Sequence, residues 1–105
     1  MKDITVQELA EALKQKRSFT LLDVREPYEY EVNHIDSCIH IPMGEISERI
    51  QEVDNSKEVY VMCQSGSRAL AVANFLKANY DFSKIAIVIG GVDAYVEEID
   101  QSIKI

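Results

Sequence analysis

One segment constrains the fold of this chain more than any other feature. It is an apolar run that leads into a turn beginning with cysteine and then into an alanine-rich segment. Residues 59–62 are all apolar or aromatic and follow a polar run, which predicts a buried strand. Beyond the turn, which begins at Cys63, apolar residues at helical spacing predict a helix. Its expected buried face is Ala69, Val72, Ala73, Leu76 and Tyr80. Open α/β sheets place their ligands where a parallel strand passes into a helix, so Cys63 marks the expected site.

The turn itself has the chemistry of a site for a nucleophilic cysteine. The first N–H groups of a helix lack partners within the helix, and its dipole adds about half a positive charge at that end. Gly66 can adopt backbone conformations closed to other residues, which lets several amides converge on one point. Arg68 adds a permanent positive charge. These features favour Cys63 as the thiolate, and they would equally stabilise a persulfide sulfur carried on it.

Length and composition limit the remaining possibilities. The chain has 105 residues, of which 47% are apolar and 28% charged, so we predict a single globular domain over residues 1–105. A net charge of −7 argues against a nucleic acid partner. The first residues contain no apolar run and no segment is long enough for a membrane helix, so we expect neither a signal peptide nor a membrane partner. Two cysteines are too few for a disulfide scaffold, and a cytoplasmic location is expected.

The N-terminal part of the chain alternates between helix and strand patterns. Thr5 and Glu8 form a capping box, which predicts the start of a helix. The predicted buried stripe of that helix is Val6, Leu9, Ala10 and Leu13. Residues 19–24 predict a strand. If the strands are parallel, its carboxyl end brings Asp23 and Arg25 to the sheet edge that carries the cysteine turn.

The rest of the chain continues this alternation, which indicates an α/β fold. The other predicted elements are a short helix that begins at Pro27, a short strand over residues 38–41, a second short helix after Gly44, a strand over 84–89, a helix over 92–99 and a frayed tail over 100–105. Residues 84–89 are apolar apart from Lys84, which is typical of parallel strands covered by helices on both faces.

Three motifs, in the right order along nearly the whole chain, resemble those of rhodanese-like domains. The first is Leu22-Asp23-Val24-Arg25-Glu26-Pro27-Tyr28-Glu29-Tyr30, followed by His34-Ile35 and Ile41-Pro42. The second, which looks like the active-site loop, is formed by Cys63, Gly66, Arg68 and Ala69. The third, which looks like the closing motif, is formed by Gly90, Gly91, Val92, Ala94 and Tyr95.

The resemblance implies a fold and an activity. The expected fold is α/β, with a five-stranded, mostly parallel sheet, helices on both faces and a short first strand near the N-terminus. The expected activity is sulfur transfer, in which Cys63 alternates between thiolate and persulfide. The donor would be thiosulfate or another persulfide, and the acceptor would be cyanide, a small thiol or a protein thiol. No metal or organic cofactor is implied.

The expected site consists of Cys63 and the loop that follows it. Cys63 is the predicted catalytic residue, and the predicted substrate-binding residues, whose amides would hold the terminal sulfur, are Gln64, Ser65, Gly66, Ser67 and Arg68. Arg68 would also attract the donor. Gln64 stands where the family often has a basic residue, which leaves Arg68 as the only charge of the loop and argues against efficient capture of anionic thiosulfate. Asp23 and Arg25 are expected to orient loops rather than to contact substrate.

Alternative functions and structural roles remain open at the level of the sequence. A phosphatase or arsenate reductase would also use a cysteine and an arginine, but with one more residue between them than separates Cys63 from Arg68. A binding module without catalysis is a second alternative, and a merely buried Cys63 is a third. Cys38 could resolve a persulfide as a disulfide but is more simply a core residue. His34 is expected to be structural, and no zinc set is evident.

Overall fold

The structure, a computed structural model, describes residues 2–82 and 84–99. In this part of the chain, five parallel strands form one sheet. The strands are β1 (Lys2–Ile4), β2 (Phe19–Asp23), β3 (Ile39–His40), β4 (Glu58–Met62) and β5 (Ile85–Val88). Their order across the sheet is β1-β5-β4-β2-β3, and every neighbouring pair is parallel. The predicted five-stranded, mostly parallel sheet with its short first strand is therefore confirmed, and all of its described strand pairs are parallel.

Helices connect these strands, and one more helix follows the last strand. They are α1 (Val6–Lys14), α2 (Pro27–Val32), α3 (Ile46–Arg49), α4 (Ser67–Asn79) and α5 (Gly91–Glu98), and 3₁₀ turns at Met43–Glu45 and Ile50–Glu52 flank α3. The predicted capping box of α1 is present, because the Thr5 side chain accepts from the Glu8 amide and the Glu8 side chain accepts from the Thr5 amide. None of the described helices is long and apolar enough to cross a membrane.

The helices cover both faces of the sheet. Val59 and Val61 of β4 pack in one apolar cluster with the buried face of α4, whereas Tyr60 and Met62 pack in a second cluster with α1 and α5. Successive strand residues point to opposite faces, so a strand covered on both sides must be apolar throughout. This explains why β4 and β5 lack polar alternation.

A few boundaries differ from the predictions. The strand predicted over residues 38–41 is reduced to Ile39–His40, because only these two residues pair with β2. Tyr80 packs against the core but lies beyond α4, with extended backbone. In α1 the fully buried residues include Ala12, while Ala10 and Leu13 are only partly buried. The predicted tail over 100–105 lies outside the described residues.

The parallel arrangement brings the carboxyl ends of the central strands to one edge of the sheet. In the register of β2 and β4, Asp23 lies beside Met62, and in that of β4 and β5, Val61 lies beside Ile87. The segments that follow these strands therefore leave the sheet side by side. This edge carries the candidate site.

Candidate active site

Cys63 follows β4 directly and sits in a small ring of backbone amides. Its Sγ accepts hydrogen bonds from the N–H of Gly66 at 3.0 Å and from the N–H of Ala69 at 3.3 Å. Gly66 has a φ of +118°, in the left-handed region that favours glycine. Cys63 is 1% exposed, so the two amides act on the sulfur with little competition from water.

One of these amides lies outside the range that the sequence predicted. The expected donors were the amides of residues 64–68, whereas Ala69 is the first residue beyond them. The reason is geometric: Ser67 is the first residue of α4, and Ala69 lies in the first turn, where backbone N–H groups have no partner within the helix. Ser65, on the loop, and Ser67, at the start of α4, are both exposed.

The carbonyl groups of the loop are held by the start of α5. The N–H of Val92 donates to the Cys63 carbonyl at 2.9 Å, and the N–H of Asp93 donates to the Gln64 carbonyl at 3.0 Å. Gly91 lies so close that a Cβ at this position would clash with both carbonyl groups. Its φ of +58° also favours glycine. The closing motif thus fixes the peptides that begin the cysteine loop.

The Gln64 side chain ties the loop to two neighbouring segments. Its Nε2 donates to Asp93 Oδ1 at 2.5 Å, and its Oε1 accepts from Arg25 Nη1 at 3.1 Å. An amide group can donate and accept at once, so glutamine can bridge a carboxylate and a guanidinium. The position at which the family often has a basic residue is therefore used here for a structural bridge.

Arg25 and Asp23 form a buried ion pair beneath this bridge. Both side chains are fully buried, and Arg25 Nη2 lies 2.9 Å from Asp23 Oδ2. Arg25 also donates to the carbonyl groups of Glu29 and Asn33 and to the side chains of Asn33 and Gln64. These contacts agree with the predicted role in orienting loops.

Arg68 is paired with Glu29, a residue that the sequence analysis did not assign to the site. Arg68 Nη1 and Nη2 donate to the two carboxylate oxygens of Glu29 at 2.7 and 2.8 Å. The hydrogen bond from Arg68 lowers the pKa of Glu29, and the same bond raises the pKa of Arg68. The positive charge of Arg68, which was expected to attract a donor, is therefore compensated by the Glu29 carboxylate. Glu29 lies within the first motif, but its pairing depends on how α2 packs, which spacing does not reveal.

Comparison with known proteins assigns this arrangement to a family. Residues 5–98 match the family model described as the rhodanese-like domain. The chain belongs to that family. A putative sulfur carrier protein, YrkF of Bacillus subtilis, is 41% identical over 86 residues, which cover 78% of this chain and 46% of YrkF. The putative sulfurtransferase YtwF of the same organism is 34% identical over 76 residues, which cover 72% of this chain and 74% of YtwF.

A solved structure extends the similarity to the backbone. The rhodanese-related protein of Thermoplasma volcanium superposes with a TM-score of 0.81 at 32% identity, and the match covers 93% of each chain. The resemblance seen in the three motifs is thus confirmed for both sequence and fold. This rhodanese-like domain spans less than half the length of YrkF.

Cys38, the second cysteine of this rhodanese-like domain, lies in a different environment. Its Sγ donates to Tyr30 Oη at 4.0 Å, and desolvation by burial raises the pKa of the thiol to about 11. The Tyr30 ring is stacked between those of His34 and His40, at centroid distances of 3.9 and 4.1 Å. Cys38 is partly buried and packs against the second apolar cluster, so the core interpretation holds only in part.

The two histidines beside Cys38 are engaged in local structure. His34 Nδ1 donates to the Tyr30 carbonyl at 2.8 Å, and His40 Nε2 donates to the Arg25 carbonyl at 2.8 Å. His34 is thus held by a backbone contact, as expected of a structural residue. Within residues 2–82 and 84–99, no three side chains of histidine, cysteine, aspartate or glutamate are grouped to hold a metal ion.

Proposed function

We propose that this chain is a sulfurtransferase that carries sulfane sulfur on Cys63 as a persulfide. The observation that carries the proposal is the pair of amide hydrogen bonds from Gly66 and Ala69 to Sγ. N–H donors that point at a sulfur atom stabilise negative charge there, as in other anion-binding helix starts. The names of YrkF and YtwF support the same chemistry.

In the loading step, the Cys63 thiolate attacks the outer sulfur of the donor. A Cys63 S–S bond forms as the donor's own sulfur–sulfur bond breaks, and the electron pair of that bond leaves with the donor. Thiosulfate would release sulfite, whereas a thiol persulfide would release a thiol. The added sulfur would lie about 2 Å from Sγ.

In the unloading step, an acceptor attacks the outer sulfur of the Cys63 persulfide. Cyanide would become thiocyanate, and a small or protein thiol would become a persulfide. The electron pair of the breaking bond returns to Cys63 as a thiolate, so the protein ends as it began. The amides of Gly66 and Ala69 receive the charge in this step, and we expect other amides of residues 64–68 to hold the outer sulfur.

Asp23, Arg25 and Gln64 are positioning residues in this scheme. They hold the loop in the conformation that directs its amides at the sulfur, through the buried ion pair and the Gln64 bridge. A catalytic loop positioned by a buried network needs little reorganisation during the reaction.

Intact mass spectrometry tests this function. The protein is incubated with thiosulfate or with cysteine persulfide, and we expect a mass increase of one sulfur atom that disappears after addition of cyanide. Cys63→Ser should abolish the adduct. Cys38→Ser is the matched control and should retain it. Failure of the wild-type protein to accept sulfur from either donor would refute the proposed function.

A further inference from the structure

The arginines nearest the cysteine loop are both neutralised by carboxylates. Arg25 is paired with Asp23 in the core, and Arg68 is paired with Glu29 through both oxygens. A third carboxylate, that of Asp93, accepts from the Gln64 side chain. The charged groups placed around Cys63 therefore sum to a negative rather than a positive value.

The Arg68–Glu29 pair is built into the fold rather than being a loose surface contact. The Arg68 and Glu29 side chains are 30% and 17% exposed. Glu29 is also anchored at the start of α2, where its Oε1 accepts from the Glu26 amide at 3.0 Å. A bidentate pair between partly buried groups with a second anchor holds its geometry better than an exposed pair does.

We propose that Glu29 is a specificity-determining residue that directs the site away from thiosulfate and toward thiol persulfides. This inference rests on the proposed function of Cys63. By occupying both arms of the Arg68 guanidinium, Glu29 removes the positive charge that an anionic donor would use. The physiological donor class is therefore a persulfide of a small thiol or of a protein.

The charge balance of the two loading reactions explains the discrimination. Thiosulfate brings two negative charges to the Cys63 thiolate and leaves as sulfite with two, so the anions repel each other unless a cation lies beside them. A thiol persulfide places at most one charge on its reacting sulfurs and leaves as a thiol or thiolate. Negative charge that no cation compensates at a binding site selects against the donor with the larger negative charge, which here is thiosulfate.

Four proteins test the role of Glu29: the wild type, Glu29→Gln, Glu29→Asp and Glu31→Gln. Glutamine keeps an oxygen for the Glu26 amide and for Arg68 but removes the charge. Glu31 lies exposed on the same helix, so Glu31→Gln makes the same change in net charge away from Arg68. The rates of sulfur loading from thiosulfate and from cysteine persulfide, which carries one fewer negative charge, are measured for each protein by intact mass spectrometry.

We expect Glu29→Gln to raise the ratio of thiosulfate loading to persulfide loading about tenfold over that of Glu31→Gln, the size expected for releasing one charge near the site. Most of the change should appear as a lower KM for thiosulfate, and it should shrink as salt is added. Glu29→Asp keeps the charge and should stay near the wild-type ratio.

The outcomes separate this inference from the function on which it depends. If the wild type accepts sulfur but the ratio is the same in Glu29→Gln and Glu31→Gln, the role of Glu29 is refuted and the sulfurtransferase function stands. An equal rise in Glu29→Asp would also refute it, because the effect would then come from lost structure and not from lost charge. If no donor loads the wild type, both proposals fail.

Discussion

The two cysteines of this chain show how strongly the surroundings determine what a thiol can do. Cys63 follows a central strand and accepts hydrogen bonds from two backbone amides. Cys38 precedes an edge strand, lies against the Tyr30 hydroxyl and has a pKa raised to about 11 by burial. Both side chains are at least partly buried. What differs is the group that faces the sulfur, which is a pair of backbone amides at Cys63 and a hydroxyl at Cys38.

Arg25 contacts the surroundings of both cysteines, and loss of its side chain should affect these two regions differently. Its side chain supports the Cys63 loop through Gln64, whereas its backbone carbonyl accepts from His40 on the Cys38 side. Arg25→Met leaves Asp23 as a buried, unpaired carboxylate and should lower the free energy of unfolding by about 3–5 kcal/mol. Chemical denaturation measures this, and we expect sulfur loading of Cys63 to fall as well.

Arg49→Met is the matched control for that experiment. Arg49 pairs with Glu45 and Glu52 at the surface, where solvent screens the charges, so the loss of these pairs should change stability little. A loss for Arg25→Met no greater than that for Arg49→Met would contradict the structural role of the buried pair.

The contact between α5 and the cysteine loop supports the surroundings of Cys63 and not those of Cys38. A Cβ at Gly91 clashes with the Cys63 and Gln64 carbonyl groups, so the loop must shift in Gly91→Ala. We expect a loss of about 1–3 kcal/mol of stability and a marked fall in sulfur loading, with little change around Cys38. Denaturation and the loading assay measure the two effects.

Gly44→Ala provides the control, since a Cβ at Gly44 meets no atom within 4 Å. This substitution should leave both measurements close to those of the wild type. Normal loading in a folded Gly91→Ala protein would show that the loop does not need the position that α5 imposes.

The buried surroundings of Cys38 should appear in the pH dependence of its reactivity. Burial raises its pKa from 9.0 to about 11, so deprotonation is shifted upward and the neutral thiol persists at pH 9. In a Cys63→Ser protein, alkylation of Cys38 by iodoacetamide should therefore still accelerate between pH 9 and about 11. A rate that levels off near pH 9 would contradict the desolvated environment.

The same shift has a consequence for stability. A thiol whose pKa is higher in the folded state than in the unfolded state stabilises the folded state as long as the pH lies below the unfolded-state pKa. This stabilisation is lost as the pH rises through the folded-state pKa. The contribution of Cys38 should therefore disappear between pH 9 and about 11. Cys38→Ala should show a smaller decline in stability over that interval.

The alternation of strands and helices and the place of Cys63 between β4 and α4 could be predicted from the sequence because they depend on local patterns. The number of strands and the short first strand were expected only from the family resemblance. The continuous apolar runs of β4 and β5 indicated parallel strands, and the capping box located the start of α1. Cys63 could be singled out because it lies between a buried strand and a helix. Each of these inferences uses residues that are close together in the chain.

The electrostatics of the site could not be predicted in the same way. Glu29 and Arg68 are 39 positions apart, and their pairing depends on how α2 meets the cysteine loop. The amide of Ala69 was missed because backbone donors leave no mark in the sequence, and the Gln64 bridge depends on Arg25 and Asp93 from two other segments. Long-range pairing of polar groups is decided by the fold.

The central claim is that backbone amides make Cys63, and not Cys38, the carrier of sulfur. The most direct test is to load the wild-type protein with sulfur from cysteine persulfide, alkylate it, digest it and locate the added sulfur atom by peptide mass spectrometry. We predict the added sulfur on the peptide that contains Cys63 and none on the peptide that contains Cys38. Sulfur on Cys38, or an equal distribution between the two peptides, would contradict the account.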